Sequence, residues 1–229
     1  MDISPPVFTS AKKLKRPAVE ALFAQVYPGI VRLARGLTGR EDVAEGVVRF
    51  VLLRAPRMLP NWRDPTEAQR WFMHHTVLTA RRASGHEVPT NSDLLSAGED
   101  APGKAFIRAI RLLPQQQKEA VLLHFGEHLN SRYLGVAMDC SADAAEAHLE
   151  AGQSALKQVA GAEIDPLLAR LKDAYARLMP AEVEIPAAAR KWASKALRPR
   201  RTRRLIWTAA TLVLIAAAIW AVWALKGKL

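Results

Sequence analysis

Residues 19–37 read V-E-A-L-F-A-Q-V-Y-P-G-I-V-R-L-A-R-G-L. Val19, Leu22, Phe23, Val26, Ile30, Leu33 and Leu37 recur at steps of three and four. That spacing lines one face of an α-helix. Pro17 suits the first turn of this helix, and Gly39 punctuates its end. The reading extends outward. Val43 to Met58 forms a second apolar-rich helix, stopped near Pro60. Beyond a loop from Asn61 to Pro65, Thr66 to Ala83 reads as a third, with Trp71, Phe72, Val77 and Leu78 toward its buried side. Residues 1–16 read as a flexible tail.

Residues 84–103 hold Gly, Pro, Ser, Asn and Asp without periodicity and read as a linker. A second helical set runs from Lys104 to about Val159, with breaks near Pro114, Gly126–Asn130 and Asp139–Ser141. Residues 165–179 add a short amphipathic helix carrying Leu167, Leu168, Leu171, Tyr175 and Leu178 on one face, after which Pro180 and Pro186 interrupt. No strand pattern of useful length and no internal repeat is present. The expected fold is all-α: two small helical domains over 17–83 and 104–160, then a segment over 161–204 that combines the amphipathic helix with a basic juxtamembrane stretch.

Leu205 to Leu225 then reads L-I-W-T-A-A-T-L-V-L-I-A-A-A-I-W-A-V-W-A-L, with no charge, Pro or Gly. At roughly 1.5 Å per residue its length matches a hydrocarbon core of about 30 Å. Trp207, Trp220 and Trp223 lie near its ends, where indole rings prefer the membrane interface. Lys191, Lys195, Arg198, Arg200, Arg201, Arg203 and Arg204 precede the run, and only Lys226 and Lys228 follow it. The positive-inside rule then places residues 1–204 in the cytoplasm and 226–229 outside. Met1 to Arg16 lacks the apolar core of a secretory signal. The net charge of +11 is uneven: residues 1–82 carry about +7, residues 83–190 about −5 and residues 191–229 +9. Most of the basicity is thus a membrane flank, and only the N-terminal third has an excess suited to nucleic acid. The lone Cys140 excludes an intramolecular disulfide.

Within the second helix, Ala44 to Ala55 reads A-E-G-V-V-R-F-V-L-L-R-A. This resembles the A-E-D-L-V-Q-E-T-F-L-R-A stretch of region two in extracytoplasmic-function sigma factors of bacterial RNA polymerase. Tyr27–Leu37 (Y-P-G-I-V-R-L-A-R-G-L) and Trp71 to Arg82 (W-F-M-H-H-T-V-L-T-A-R-R) support the frame on either side. The second set resembles region four: Leu113–Pro114 is similar to its opening L-P, Val121-Leu122-Leu123-His124 to its V-L-L-L-H, and Leu129 through Leu156 aligns without a gap to its helix-turn-helix. The resemblance spans roughly 20–160. It implies core RNA polymerase, through its clamp, and promoter DNA as partners. It implies a polymerase-binding face at Glu45, Arg49, Phe50 and Arg54. A promoter-facing helix follows from it at Trp71, His74, His75, Thr79, Arg81 and Arg82, where cations neutralise phosphates and flat rings stack on bases. The major-groove helix would present Ala144, His148 and Gln153.

The residues depart from that family in two places. Gly46, Arg49 and Phe50 replace its Asp, Gln and Glu on the clamp-facing helix. The basic recognition helix becomes Asp143 to Leu156, with Asp143, Glu146 and Glu150 and only His148 to add positive charge. An acidic helix is repelled by phosphates and releases no counterions. Two readings follow. One is a membrane-tethered sigma-like initiation regulator at the bacterial inner membrane. The other is a degenerate sigma scaffold serving there as an interaction module without promoter activity. The segment 165–190 is either a built-in inhibitor, laying its apolar face on a sigma-like domain as separate anti-sigma proteins do, or a spacer. No P-loop, dinucleotide turn or serine elbow occurs, so no enzyme and no cofactor is expected. His124 and His128 lie four apart, but Gly126 interrupts the helix between them, which favours a turn over a metal site.

The topology has a direct test. The chain should require detergent for extraction, and a phosphatase reporter that is active only outside the cell should stay silent when fused after Arg204. An active fusion there reverses the orientation.

Overall fold

The structure is a computed structural model, and it describes residues 1–84 and 93–198. Every regular element among the described residues is helical. The N-terminal half contains α1 (Pro5–Ala11), α2 (Arg16–Thr38), α3 (Glu41–Met58) and α4 (Pro65–Ser84). The apolar stripe read from residues 19–37 is the buried face of α2, with Val19, Leu22, Phe23, Val26, Ile30 and Leu33 all but inaccessible. Gly39 ends α2 in the left-handed region at φ 69°, where a side chain would be strained. At the start of α4, the Asp64 carboxylate accepts from the Glu67 amide and the Glu67 carboxylate from the Arg63 amide, a reciprocal N-terminal cap.

The second half contains α5 (Ala101–Leu112), α6 (Gln115–Val121), a wide turn at Leu122–Gly126, α7 (Ser131–Met138) and α8 (Ala142–Ala160). Its breaks fall where the sequence placed them. Asn130 and Ser141 cap α7 and α8 through side-chain oxygens, and Asp139 closes α7 at φ 65°. A Cβ at Gly135 would stand 2.8 Å from the Cys140 carbonyl oxygen, so glycine lets α7 approach this turn. Then come α9 (Ile164–Ala176) and α10 over residues 185–198.

Three expectations are corrected. The tail expected over 1–16 is an ordered helix: Ile3, Phe8 and Ala11 are buried, and Ser4 and Gln25 exchange two hydrogen bonds. Seven residues are too few to show a period, and tertiary packing holds them. The described part of the expected linker is tied down as well. Leu95 is buried, and the Leu94 amide donates to the Gly39 carbonyl at 2.9 Å. The buried residues of the two helical sets belong to one hydrophobic cluster. Finally, Pro186 does not end helical structure but lies in the first turn of α10, whose Ala189, Trp192, Ala193, Ala196 and Leu197 are buried.

Among the described residues no helix is long and apolar enough to cross a membrane. The expected span at 205–225, with Trp207, Trp220 and Trp223, lies outside the described residues.

Tyr175 of α9 joins the two halves. Its ring is fully buried and presses on the backbone at Gly36 of α2 and at Gly126 of the wide turn; a Cβ at Gly126 would meet it at 2.6 Å. Its hydroxyl is buried without a hydrogen-bond partner among the described residues. Tyr175→Phe should therefore raise the unfolding free energy by about 1 kcal/mol, since it removes an unpaired buried polar group. Gly36→Ala drives a methyl into the ring and should lower stability by about 1–3 kcal/mol. Urea titration in detergent, followed by far-UV circular dichroism, reads both. A loss of stability in Tyr175→Phe would mean that the hydroxyl has a partner.

Candidate functional site

On α3 the residues implied for polymerase binding share the solvent face. Glu45, Arg49, Phe50 and Arg54 are all exposed, Phe50 at 40%. The Arg54 guanidinium lies 5.1 Å from the Phe50 ring centroid, a cation–π pair that holds the ring against the helix. Among the described residues a Cβ at Gly46 would meet nothing within 4 Å, so none of them fills the space beside the row. At its N-terminal end, Lys191 of α10 reaches to 3.7 Å from Glu45.

The residues implied for promoter contact on α4 fare differently. Trp71 is half-buried in an aromatic nest with Trp62 at 5.1 Å and Phe72 at 5.3 Å, and it stacks on His75 at 4.2 Å and 23°. His74 Nδ1 is 3.0 Å from the Val136 carbonyl oxygen of α7. Thr79 is half-buried, and Arg82 is exposed. Arg81 is turned inward. Its guanidinium donates to both carboxylate oxygens of Glu119 at 2.6–3.2 Å and to the Met138 carbonyl at 2.9 Å. Glu119 is 1% exposed and also accepts from Gln115 at 2.7 Å. Of the two arginines implied for phosphate contact, Arg81 pairs with a buried carboxylate and Arg82 projects to solvent.

Helix α7 therefore covers part of the α4 face. Between them lies a cleft of about 400 Å³, lined by residues that include Arg70, Trp71, His74, Val136 and Cys140. Arg70 lies 6.0 Å from the Tyr133 ring centroid. On α8, Ala144, His148 and Gln153 are half-buried, whereas Asp143, Glu146 and Glu150 are exposed on one ridge. Gln153 instead lines a groove of about 660 Å³ running along α8 and α9, which Phe125, Lys157, Asp165 and Leu168 also line.

Further ion pairs hold the halves together. Arg32 of α2 grips Glu127 through two nitrogens, and Arg111 of α5 pairs with Asp93 while donating to the Leu37 carbonyl. Burial pushes the Glu99 carboxyl up, but Arg177 and Arg170 of α9 outweigh it and hold the group below its ordinary value. Sequence reasoning missed Glu119 and Glu127, because partners 38 or 95 residues apart leave no periodic signal. Among the described residues no three His, Cys, Asp or Glu side chains could hold a metal ion. His124 Nδ1 is 2.9 Å from the Leu129 carbonyl oxygen, a turn contact. Burial pushes the Cys140 thiol up, away from the reactive thiolate.

No family model and no curated protein matches the chain.

Burial, and after it the charge of His74, hold His75 below its ordinary value of 6.5. The unfolded chain thus binds the extra proton first, so this contribution to stability is complete above pH 6.5 and is lost as pH falls through the depressed value. Two-dimensional NMR should show His75 titrating below 6.5, and His75→Gln should flatten the decline of stability over that acidic window. A His75 resonance that titrates above 6.5 would contradict the stacked, neutral ring.

Proposed function

We propose that this chain is a membrane-tethered, sigma-factor-like regulator of transcription initiation, with core RNA polymerase and promoter DNA as its partners. The observation that carries the reading is the exposed row Glu45, Arg49, Phe50 and Arg54 on α3, at the positions where the resembling family meets the polymerase clamp. Supporting it are the aromatic and cationic make-up of α4 and the three-residue turn between α7 and α8, a connection of the length a helix-turn-helix uses. In the arrangement described above α7 covers His74 and Arg81, so promoter contact through α4 requires the halves to separate.

A second reading, the degenerate sigma scaffold acting as a membrane-anchored interaction module, is favoured by one observation. The exposed ridge of α8 is acidic, at Asp143, Glu146 and Glu150, where a groove-reading helix would need cations.

The readings separate in one experiment. Full-length chain purified in detergent should co-purify with core polymerase, lose that association in a Phe50→Ala, Arg54→Ala double variant, and direct run-off transcription from its cognate promoter. Arg82→Ala should flatten the salt dependence of DNA binding by about one unit, since one phosphate contact releases about one counterion. Retention of polymerase without any transcript from a promoter library would select the scaffold. Absence of polymerase binding would remove the first reading.

A further inference from the structure

The outer face of α3 carries more than the implied polymerase row. Arg49, Phe50, Arg54, Arg57 and Met58 are all exposed, Phe50 at 40% and Met58 at 37%. At 100° per residue they occupy about half of the helix circumference, a single ridge with Gly46 beside it, open among the described residues. Three guanidinium groups thus flank two large apolar side chains. The Lys12 ammonium donates to the Trp62 carbonyl at 2.6 Å, which brings the end of α1, with exposed Lys13 and Lys15, close to the C-terminal end of this ridge. The acids lie at its two ends and are engaged: Glu41, Asp42 and Glu45 by Arg35, Arg40 and Lys191 at the N-terminal end, and Glu67 by Arg63, with Asp64 capping α4, beyond the C-terminal end. Cations interleaved with apolar groups that have no core to enter suit an anionic lipid surface, where guanidinium groups meet headgroup phosphates and the apolar groups enter the interface.

The path of the chain makes that surface reachable. Lys191 of α10 stands at Glu45, on the N-terminal part of α3. Arg198 follows one and a half to two turns later, about 10 Å along the helix axis. The sequence continues through Arg200, Arg201, Arg203 and Arg204 into the apolar run from Leu205. A chain anchored there holds α3 within a short distance of the bilayer.

We infer that the α3 ridge docks on the anionic cytoplasmic leaflet in the anchored chain, so that lipid and polymerase compete for one surface. The competition rests on the polymerase-facing reading of α3, and the docking rests on the anchor. Docking keeps the regulator in an occluded state, and weaker lipid charge or release from the anchor exposes the ridge. Each arginine contributes about fivefold to the ratio of docked to free molecules, and replacing all three should lower it by roughly a hundredfold.

The test uses the full chain in lipid nanodiscs, with Cys140→Ser and Met58→Cys for an environment-sensitive fluorophore. A control carries the same label at Val159→Cys, an exposed site on α8. On discs containing phosphatidylglycerol, label 58 should shift to the blue and be shielded from acrylamide. On pure phosphatidylcholine it should stay wet, and label 159 should not respond to the lipid. High salt, or Arg49→Gln, Arg54→Gln and Arg57→Gln together, should abolish the effect. Label 58 equally wet on both lipids overturns the docking, as does an equal response at 159. Shielding only when core polymerase is added assigns the ridge to polymerase alone and also overturns it. A chain that is not retained by the discs removes the anchor and the docking together. Lipid-dependent shielding with no polymerase effect on phosphatidylcholine discs leaves the docking standing while the polymerase reading fails.

Discussion

A carboxylate with 1% of its surface exposed, in the middle of a helical core, sets the terms for the rest of this molecule. Glu119 of α6 loses its hydration there, and only fixed donors compensate. Arg81 of α4 supplies a two-pronged grip, and Gln115 adds a third donor. The same guanidinium caps the Met138 carbonyl at the end of α7. One side chain thus fixes α4 against α6 and α7 at once. Buried pairs of this kind add little net stability over an apolar packing, but breaking one leaves an uncompensated charge, so they specify geometry. Arg32–Glu127 and Arg111–Asp93 repeat the device at two other places, and Tyr175 fills the space between Gly36 and Gly126.

This geometry divides the two candidate surfaces. With Arg81 held inward, α7 lies on α4, His74 is engaged by the Val136 carbonyl, and Trp71 is half-buried. The α3 ridge, by contrast, is exposed to solvent. A partner recognising α3 meets a preformed surface, whereas nucleic acid seeking α4 must first separate two packed halves. The order in which the proposed partners act follows from this: the α3 partner binds first, and separation of the halves comes second. Because α9 and α10 pack on the common core and precede the apolar run in sequence, they are the elements through which the proposed membrane anchor would bias that separation.

The sequence was readable where one element decides its own fate. The stripe from Val19 to Leu37 became α2, the breaks at Pro114 and Asp139 fell in place, and Glu45, Arg49, Phe50 and Arg54 share a solvent face. It was not readable where distant residues decide together. Helix α1 is too short to show a period and exists because Ile3 and Phe8 find the core. Pro186 reads as an interruption in isolation, yet the spacing of Ala189, Trp192, Ala193, Ala196 and Leu197 behind it marks a helix that begins there. The fate of Arg81 was hidden for the same reason. Arginines next to one another at a helix end look equivalent until Glu119, 38 residues away, selects one of them.

The account turns on whether Arg81 and Glu119 hold the halves together, and a double-mutant cycle measures that directly. Arg81→Met, Glu119→Gln and the double variant would be compared by urea unfolding of the full chain in detergent. Either single change should cost several kcal/mol, and the cycle should return a coupling of about 2–3 kcal/mol, as expected when one partner is left buried and alone. Single effects that add to within about 0.5 kcal/mol would contradict the account, because α4 and α6 would then not depend on each other through this pair.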